Sequence, residues 1–379
     1  MKSKKKKSKR NLYIKGVRNV KQGQTSTGDN GQKTYWDPTF RKYCGYASGQ
    51  QVKRSIISAI LNENGEEYSP VNFVFKLEDK KIKEDIVITS CNPRDTDQLF
   101  GGYMHQVSNK NKKKGKNNED NEGEEKLSSK RTGIIACGPY APEHPLLASV
   151  TEEIASFDRR EENNASVSLK FDDRIIEESD IESFLEDMQI PNTVKKQKYF
   201  QGHKKINGIF SNTVELDIQR LFTVSVRSYN PEASVELQEE LVRHGWTYGE
   251  NNSILICPIN LIREVAPAIA VGIVEWVFGT NKSRALNSLT AFAIAVSDSP
   301  YDVATAIRAK LYGDFENPRA ELILDNSKGN LYTSQEAEGY SFTHTYNPKF
   351  DLFKSEEIIS QSIINYYEEL LQVKNKVTA

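Results

Sequence analysis

Nothing in this sequence pairs its cysteines. Cys44, Cys91, Cys137 and Cys257 are scattered over 379 residues, with no C-x-x-C pair and no histidine at metal-ligand spacing, so neither a zinc site nor a disulfide framework is expected. They read as reduced, packed thiols. The five histidines, His105, His144, His203, His244 and His344, each stand alone. The sequence also lacks a Walker A loop, a G-x-S-x-G elbow, an H-E-x-x-H pair and a G-x-G-x-x-G turn after a strand. It points away from the enzyme classes those motifs serve, and no cofactor or metal is expected.

Long apolar runs are missing as well. The most apolar stretch, Val265 to Gly279, is about fifteen residues and is flanked by Arg263 and Glu264, whereas a membrane helix needs roughly 20. It reads as a buried core helix. No apolar segment follows the basic N-terminus, because Asn11, Lys15 and Arg18 interrupt it, so secretion is not expected and the cytoplasm is the expected compartment.

An excess of either charge is absent too. Lys and Arg number 51 against 52 Asp and Glu, a net charge of -1, so any nucleic-acid site must be a local patch. The charge is segregated: residues 1–10 hold seven Lys or Arg, and Glu152 to Glu186 is dominated by acids. The basic run reads as a solvated, disordered tail or as an arm lying on phosphates.

With 37% hydrophobic residues, the chain can bury a sizeable core. Asn11 to Val20 alternates as a first strand, with Tyr13 and Val17 expected on one side and Lys15 on the other. A polar loop without periodicity follows up to Gly49. Ser48 then reads as an N-cap with Gln51 three residues on, before Val52, Ile56, Ala59 and Ile60 at helical spacing. Strands are predicted at 71–77, 86–89, 213–226, 289–296 and 320–324. Helices are predicted at 234–244, 261–278, 301–311 and 355–373, and an acidic helical stretch lies before the basic-aromatic run 194–205.

Residues 108–130 are too polar to offset the entropy of ordering them and read as a mobile excursion at the tip of an extended hairpin. The fold class is α+β, compatible with a ferredoxin-like sheet carrying insertions. The expected organisation is a basic tail (1–10) and one domain (11–379), with the excursion over 101–133 and an insertion over 140–210.

Two basic-aromatic patches are candidates for a nucleic-acid strand. In the first, Arg41, Lys42 and Lys53 alternate with Tyr43 and Tyr46 around a helix start where Gly49 permits close backbone approach and Gln50 and Arg54 stand beside outward N–H groups. Its bland reading is an ordinary capped helix with a solvated first turn. The second, Lys195 to Lys205, carries Lys198, Tyr199, Phe200 and Lys204, and a solvated loop explains it equally well alone. Asp29, Asp37, Asp95 and Asp97 could supply a carboxylate for metal-assisted RNA cleavage, although acids of this kind commonly just shape turns.

The segments YASGQQVKRSIISAIL, Tyr46 to Leu61, and CNPRDTDQLFGGYM, Cys91 to Met104, resemble the Cas-seven family of repeat-associated RNA-binding backbone subunits in CRISPR effector complexes. The order of strand, helix, excursion and long insertion agrees. The resemblance implies a hand-shaped protein with an RNA-recognition-like palm, an inserted helical subdomain and a thumb hairpin. Copies of it would polymerise in a helical filament along guide RNA, beside other effector subunits, and meet a DNA or RNA target through the guide.

Carried onto this chain, Ser48, Gly49, Gln50, Lys53 and Arg54 would contact guide phosphates. Gly101, Gly102, Tyr103 and Met104 would lie at the thumb base, with Met104 as a candidate wedge against a displaced base, and Arg94, Tyr103 and Met104 would be among the RNA-binding residues. In cleaving members an Asp after the first strand cuts RNA, and Asp29 is the positional candidate. The favoured expectation is a non-cleaving subunit. The alternatives are the same assembly cutting RNA through Asp29 or Asp37, and an adaptor that binds no RNA.

Overall fold

The structure, a computed structural model, describes residues 11–28, 31–78, 81–104, 130–158, 167–191, 197–229, 231–279, 291–314, 316–340 and 351–377. It is a mixed α+β chain whose central sheet is organised by one strand, Gln197–Asp217. The first strand, Asn11–Gly23, pairs antiparallel with its C-terminal half, Val17 facing Ser211. Ala293–Ser297 and then Leu331–Thr333 extend that side. On its other edge the long strand carries Ile135–Cys137, Ala141–Pro142 and Ala148–Asp158 in turn.

Each face of this sheet is covered. Leu12, Ile14 and Val20 face the helices Gly49–Asn64, Ile259–Glu275 and Lys354–Val377, which enclose the larger core. The apolar stretch expected to be a core helix is one: Val265, Ala266, Ile269 and Ile273 are buried. No helix among the described residues is long and apolar enough to cross a membrane. The Tyr367 hydroxyl pins the tail helix by accepting from the Phe222 N–H at 2.8 Å and donating to the Ile218 carbonyl at 2.7 Å.

The opposite face is smaller, formed by Val17, Phe292, Ile307 and Leu324 with Tyr13 against them. Lys15 lies here too, its ammonium donating to Glu143 Oε1 at 2.8 Å and to the Ile307 carbonyl at 2.9 Å. This corrects the expectation that Lys15 faces away from Tyr13 and Val17: residues two apart on a strand share a face.

Three further predicted segments differ. The segment 301–311 splits, because the helix Pro300–Ala306 gives way to a strand, Ile307–Tyr312, paired with Arg319–Leu324. Strand pairing across a connection that opens with Gly313 at φ +83° overrides the helical pattern. The strand expected over 213–226 ends at Asp217, whose carboxylate accepts from the Arg220 N–H and caps a single helical turn, Ile218–Leu221. Thr223–Ser225 then joins a separate sheet with Ile254–Ile256 and Thr247–Tyr248.

The third is the polar loop, which contains a hairpin, Thr34–Asp37 with Lys42–Gly45. Its turn is set by Asp37, whose carboxylate accepts from the Phe40 N–H at 2.8 Å, with Pro38 next in sequence. A second hairpin, Val71–Glu78 with Lys81–Thr89, follows the first helix. Tyr103–Met104 pairs with Lys130–Arg131, while residues 105–129, where the mobile excursion is expected, and the basic tail 1–10 lie outside the described residues.

Candidate nucleic-acid interface

The first predicted patch divides into residues that face outward and residues that hold the chain together. Ser48 is the N-cap of the first helix, its hydroxyl accepting from the Gln51 N–H at 3.4 Å. Gln50 and Arg54 are exposed, and the Arg54 guanidinium lies 5.0 Å from the centre of the Tyr68 ring. Gly49 faces protein instead: a Cβ there would stand 2.0 Å from the Cys137 carbonyl oxygen. That close approach comes with the antiparallel bridge between Ala47 and Tyr140, two residues earlier.

Lys53 also turns inward. Its ammonium donates to the Gly101 carbonyl at 2.7 Å, half-buried, and burial lowers its pKa. A Cβ on Gly133 would meet that ammonium at 1.9 Å, so Lys53 fills the space between the two chain segments that open and close the excursion.

The outward face lies on the Thr34–Gly45 hairpin. Trp36 and Tyr43 oppose each other across the ladder, ring centroids 5.0 Å apart and edge to face. They are 49% and 56% exposed, large aromatic surfaces left to solvent. Lys204, on the long strand, places its ammonium 5.5 Å from the Tyr43 ring centre.

A glycine makes this meeting of distant residues possible. A Cβ on Gly45 would come within 2.1 Å of Ile206 Cγ2, so only glycine lets the hairpin lie down on the long strand. Lys42 ties the hairpin down by donating to the Ala148 carbonyl at 2.7 Å. Tyr46 is half-buried against Tyr35, and Arg41 is exposed at the tip in a left-handed conformation, φ +51°. Burial and the neighbouring Cys44 push the Tyr35 hydroxyl up to about 12.

The remaining candidates lie elsewhere. Arg94 is paired with Glu240 at 2.8 Å and contacts His244 Nε2 at 3.0 Å, on the helix Val235–Arg243. Tyr103 is buried, and its hydroxyl donates to the Glu232 carbonyl. Asp95 accepts from the Ser90 hydroxyl at 2.7 Å, and the buried Asp97 accepts from the Ser69 hydroxyl. Asp29 and the side chains of Met104, Lys198 and Tyr199 lie outside the described residues.

Behind Tyr103 sits a buried ionic network that composition alone did not disclose. Arg131 is fully buried and donates to Glu232 Oε2 at 2.7 Å and to the carbonyls of Leu99, Thr223 and Arg220 at 2.8–2.9 Å. Arg220 takes Glu232 Oε1 at 2.8 Å. Desolvation lowers the Arg131 pKa against the opposing pull of Glu232.

Sequence reasoning missed Trp36, Lys130, Arg220 and Arg227. The Asp-Pro turn formers between two short segments containing aromatic residues, Thr34–Asp37 and Lys42–Gly45, were the signal for Trp36. Nothing local marks the other three.

No family model matches this sequence, and no curated protein does. Among solved structures, a chain of a CRISPR RNA-guided surveillance complex in a pre-nicking state aligns at TM-score 0.42 and 9% identity, covering 96% of this chain and 89% of that one. A chain of another CRISPR RNA-guided surveillance complex aligns at TM-score 0.35 and 10% identity, covering 96% and 84%.

Proposed function

We propose that this chain is a guide-RNA-binding subunit of a CRISPR effector complex, repeated along the RNA and holding its backbone while the bases stay free to pair with a target. The observation that carries the reading is the exposed Trp36–Tyr43 pair with Lys204 over the Tyr43 ring, on the hairpin that runs directly into the helix start resembling the Cas-seven family. Aromatic faces accept any base and cations follow the phosphates, so such a surface binds a single strand with little regard to sequence. Arg41, Gln50 and Arg54 are the neighbouring outward polar groups.

On this reading the central sheet is the palm and residues 101–133 form the thumb. Neighbouring copies and other effector subunits complete the particle, which meets its DNA or RNA target through the guide. The reading keeps a non-cleaving subunit; of the two cleavage candidates, Asp37 shapes its turn by accepting from the Phe40 N–H.

The test is purification from cells that carry the matching small RNAs, with sizing and the ratio of absorbance at 260 and 280 nm, for the wild type and for Trp36→Ala with Tyr43→Ala. Large RNA-containing particles that the double variant loses support the reading. An RNA-free wild-type monomer sinks it and favours an adaptor whose acidic 152–190 segment binds protein. Cutting of guide-complementary RNA that Asp29→Ala abolishes would replace the non-cleaving assignment.

A further inference from the structure

A cleft of about 470 Å³ opens between the strand Lys130–Arg131 on one side and the short helix Ile218–Leu221 with the strand Thr223–Ser225 on the other. Lys130, Thr132, Arg220, Arg227 and Glu232 are among its lining residues. Its charge is unbalanced. Glu232 already serves two guanidiniums, Arg131 in the wall at 2.7 Å and Arg220 at the surface at 2.8 Å, and its Oε2 also accepts from the Ser225 N–H. One carboxylate neutralises one of them.

Two further cations line the cleft without an acid partner among the described residues. Lys130 is exposed and has no ion pair among the described residues, and the Arg227 guanidinium donates to the Tyr229 hydroxyl at 2.9 Å and likewise has no ion pair among them. Three cations, Lys130, Arg220 and Arg227, therefore line the cleft against one carboxylate that the buried Arg131 already neutralises from behind, with the exposed Thr132 beside them as a hydroxyl donor. A guest carboxylate would bring a single charge. A phosphate group brings more charge and several strong acceptor oxygens to the same forked donors.

We infer that this cleft is a binding site for a phosphate group, gripped by Lys130 and Arg227 and backed by Arg220. The phosphate belongs either to a nucleic-acid strand, which rests on the function proposed above, or to a small phosphorylated ligand, which does not. The site is separate from the Trp36–Tyr43 face: it is built by the base of the excursion and the 218–258 segment rather than by the hairpin and the long strand.

The full chain carrying Lys130→Gln with Arg227→Gln tests the site, with Lys310→Gln plus Arg319→Gln as a control altering two exposed cations outside the cleft. In the first arm, inorganic pyrophosphate at about ten times its dissociation constant should raise the unfolding temperature of wild type and control by roughly 2 °C over sodium chloride of equal ionic strength. The cleft variant should not respond.

In the second arm, a fluorescein-labelled 12-nucleotide single-stranded RNA is titrated by anisotropy across salt. Loss of two phosphate contacts should weaken binding about tenfold or more and flatten the log–log salt slope by roughly one. Loss in the second arm assigns a strand phosphate; loss in the first alone assigns a small ligand and leaves the site standing even where the RNA reading fails. Equal behaviour of the cleft variant and the control in both arms overturns the inference. Should the double variant unfold early without ligand, Lys130→Gln alone is read in its place.

Discussion

The ammonium of Lys53 donates to the carbonyl of Gly101 at 2.7 Å, joining the first helix to the base of the excursion 48 positions away. A residue that the sequence presents as a phosphate ligand thus has its charge spent inside the protein. Lys53→Ala should cost about 1–2 kcal/mol by leaving that carbonyl without its donor. Denaturant unfolding checks this, and a loss of RNA binding in that variant reports the fold as much as any phosphate contact.

Exposed aromatics should behave in the opposite way. Trp36→Ala and Tyr43→Ala should leave the unfolding midpoint within about 0.5 kcal/mol of wild type. Each should weaken single-stranded RNA binding by roughly 1–3 kcal/mol, the usual worth of one stacked base. Unfolding and anisotropy measured on the same samples separate the two effects, and a variant that unfolds early but binds normally would contradict the placement of these rings.

Arg131→Ala should be severe. It leaves Glu232 with one guanidinium fewer and deprives the Leu99 and Thr223 carbonyls of a donor in a buried setting. Breaking a buried pair from one side costs about 3–5 kcal/mol, so the expected result is a large drop in denaturation midpoint or insoluble protein.

Gly49→Ala should destabilise although alanine is the better helix former. The added Cβ would stand 2.0 Å from the Cys137 oxygen, and the backbone strand at that point cannot yield as a flexible side chain would. A loss of roughly 1–3 kcal/mol or more is expected from overpacking. Gln50→Ala, one residue along on the exposed side, should cost under about 0.5 kcal/mol and serves as the comparison.

Stability should fall as pH rises through neutrality. Burial, then the charges of Glu275 and Glu63, push the Glu356 carboxyl up to about 7, and its Oε1 has no hydrogen-bond partner among the described residues. A raised acid binds its proton more tightly folded than unfolded, so its contribution is full below the ordinary carboxylate range and is lost as pH climbs past about 7. Glu356→Gln should flatten that decline between pH about 5 and 8, measured by denaturant melts, and make the protein more stable at the alkaline end.

Much of the architecture is visible in local pattern. Ser48 caps its helix where a serine before a helical apolar repeat should, and Val235–Arg243, Ile259–Glu275 and Lys354–Val377 follow their apolar spacing. The Thr34–Gly45 hairpin was hidden because its side chains are polar or half-exposed aromatics, which give no inside-outside alternation. The strand from Ile307 was hidden because its pairing with Arg319–Leu324 is a contact beyond the helical window.

The candidate site was legible only as an inventory of residue types. Residue order alone determined that cations and aromatics cluster near the first helix, that a run of polar residues over 108–130 interrupts the apolar pattern, and that the apolar segments are helices and strands of ordinary length. Only the tertiary structure decided which cations remain available: Lys53 and Arg94 are taken by Gly101 and Glu240, while Lys204 is carried from the long strand to the Tyr43 ring and Lys130 and Arg227 are brought to line one cleft. The reason is physical. Periodicity and capping act over a turn or a few residues, whereas desolvation and pairing are set by whichever distant atoms the fold brings within a few ångströms.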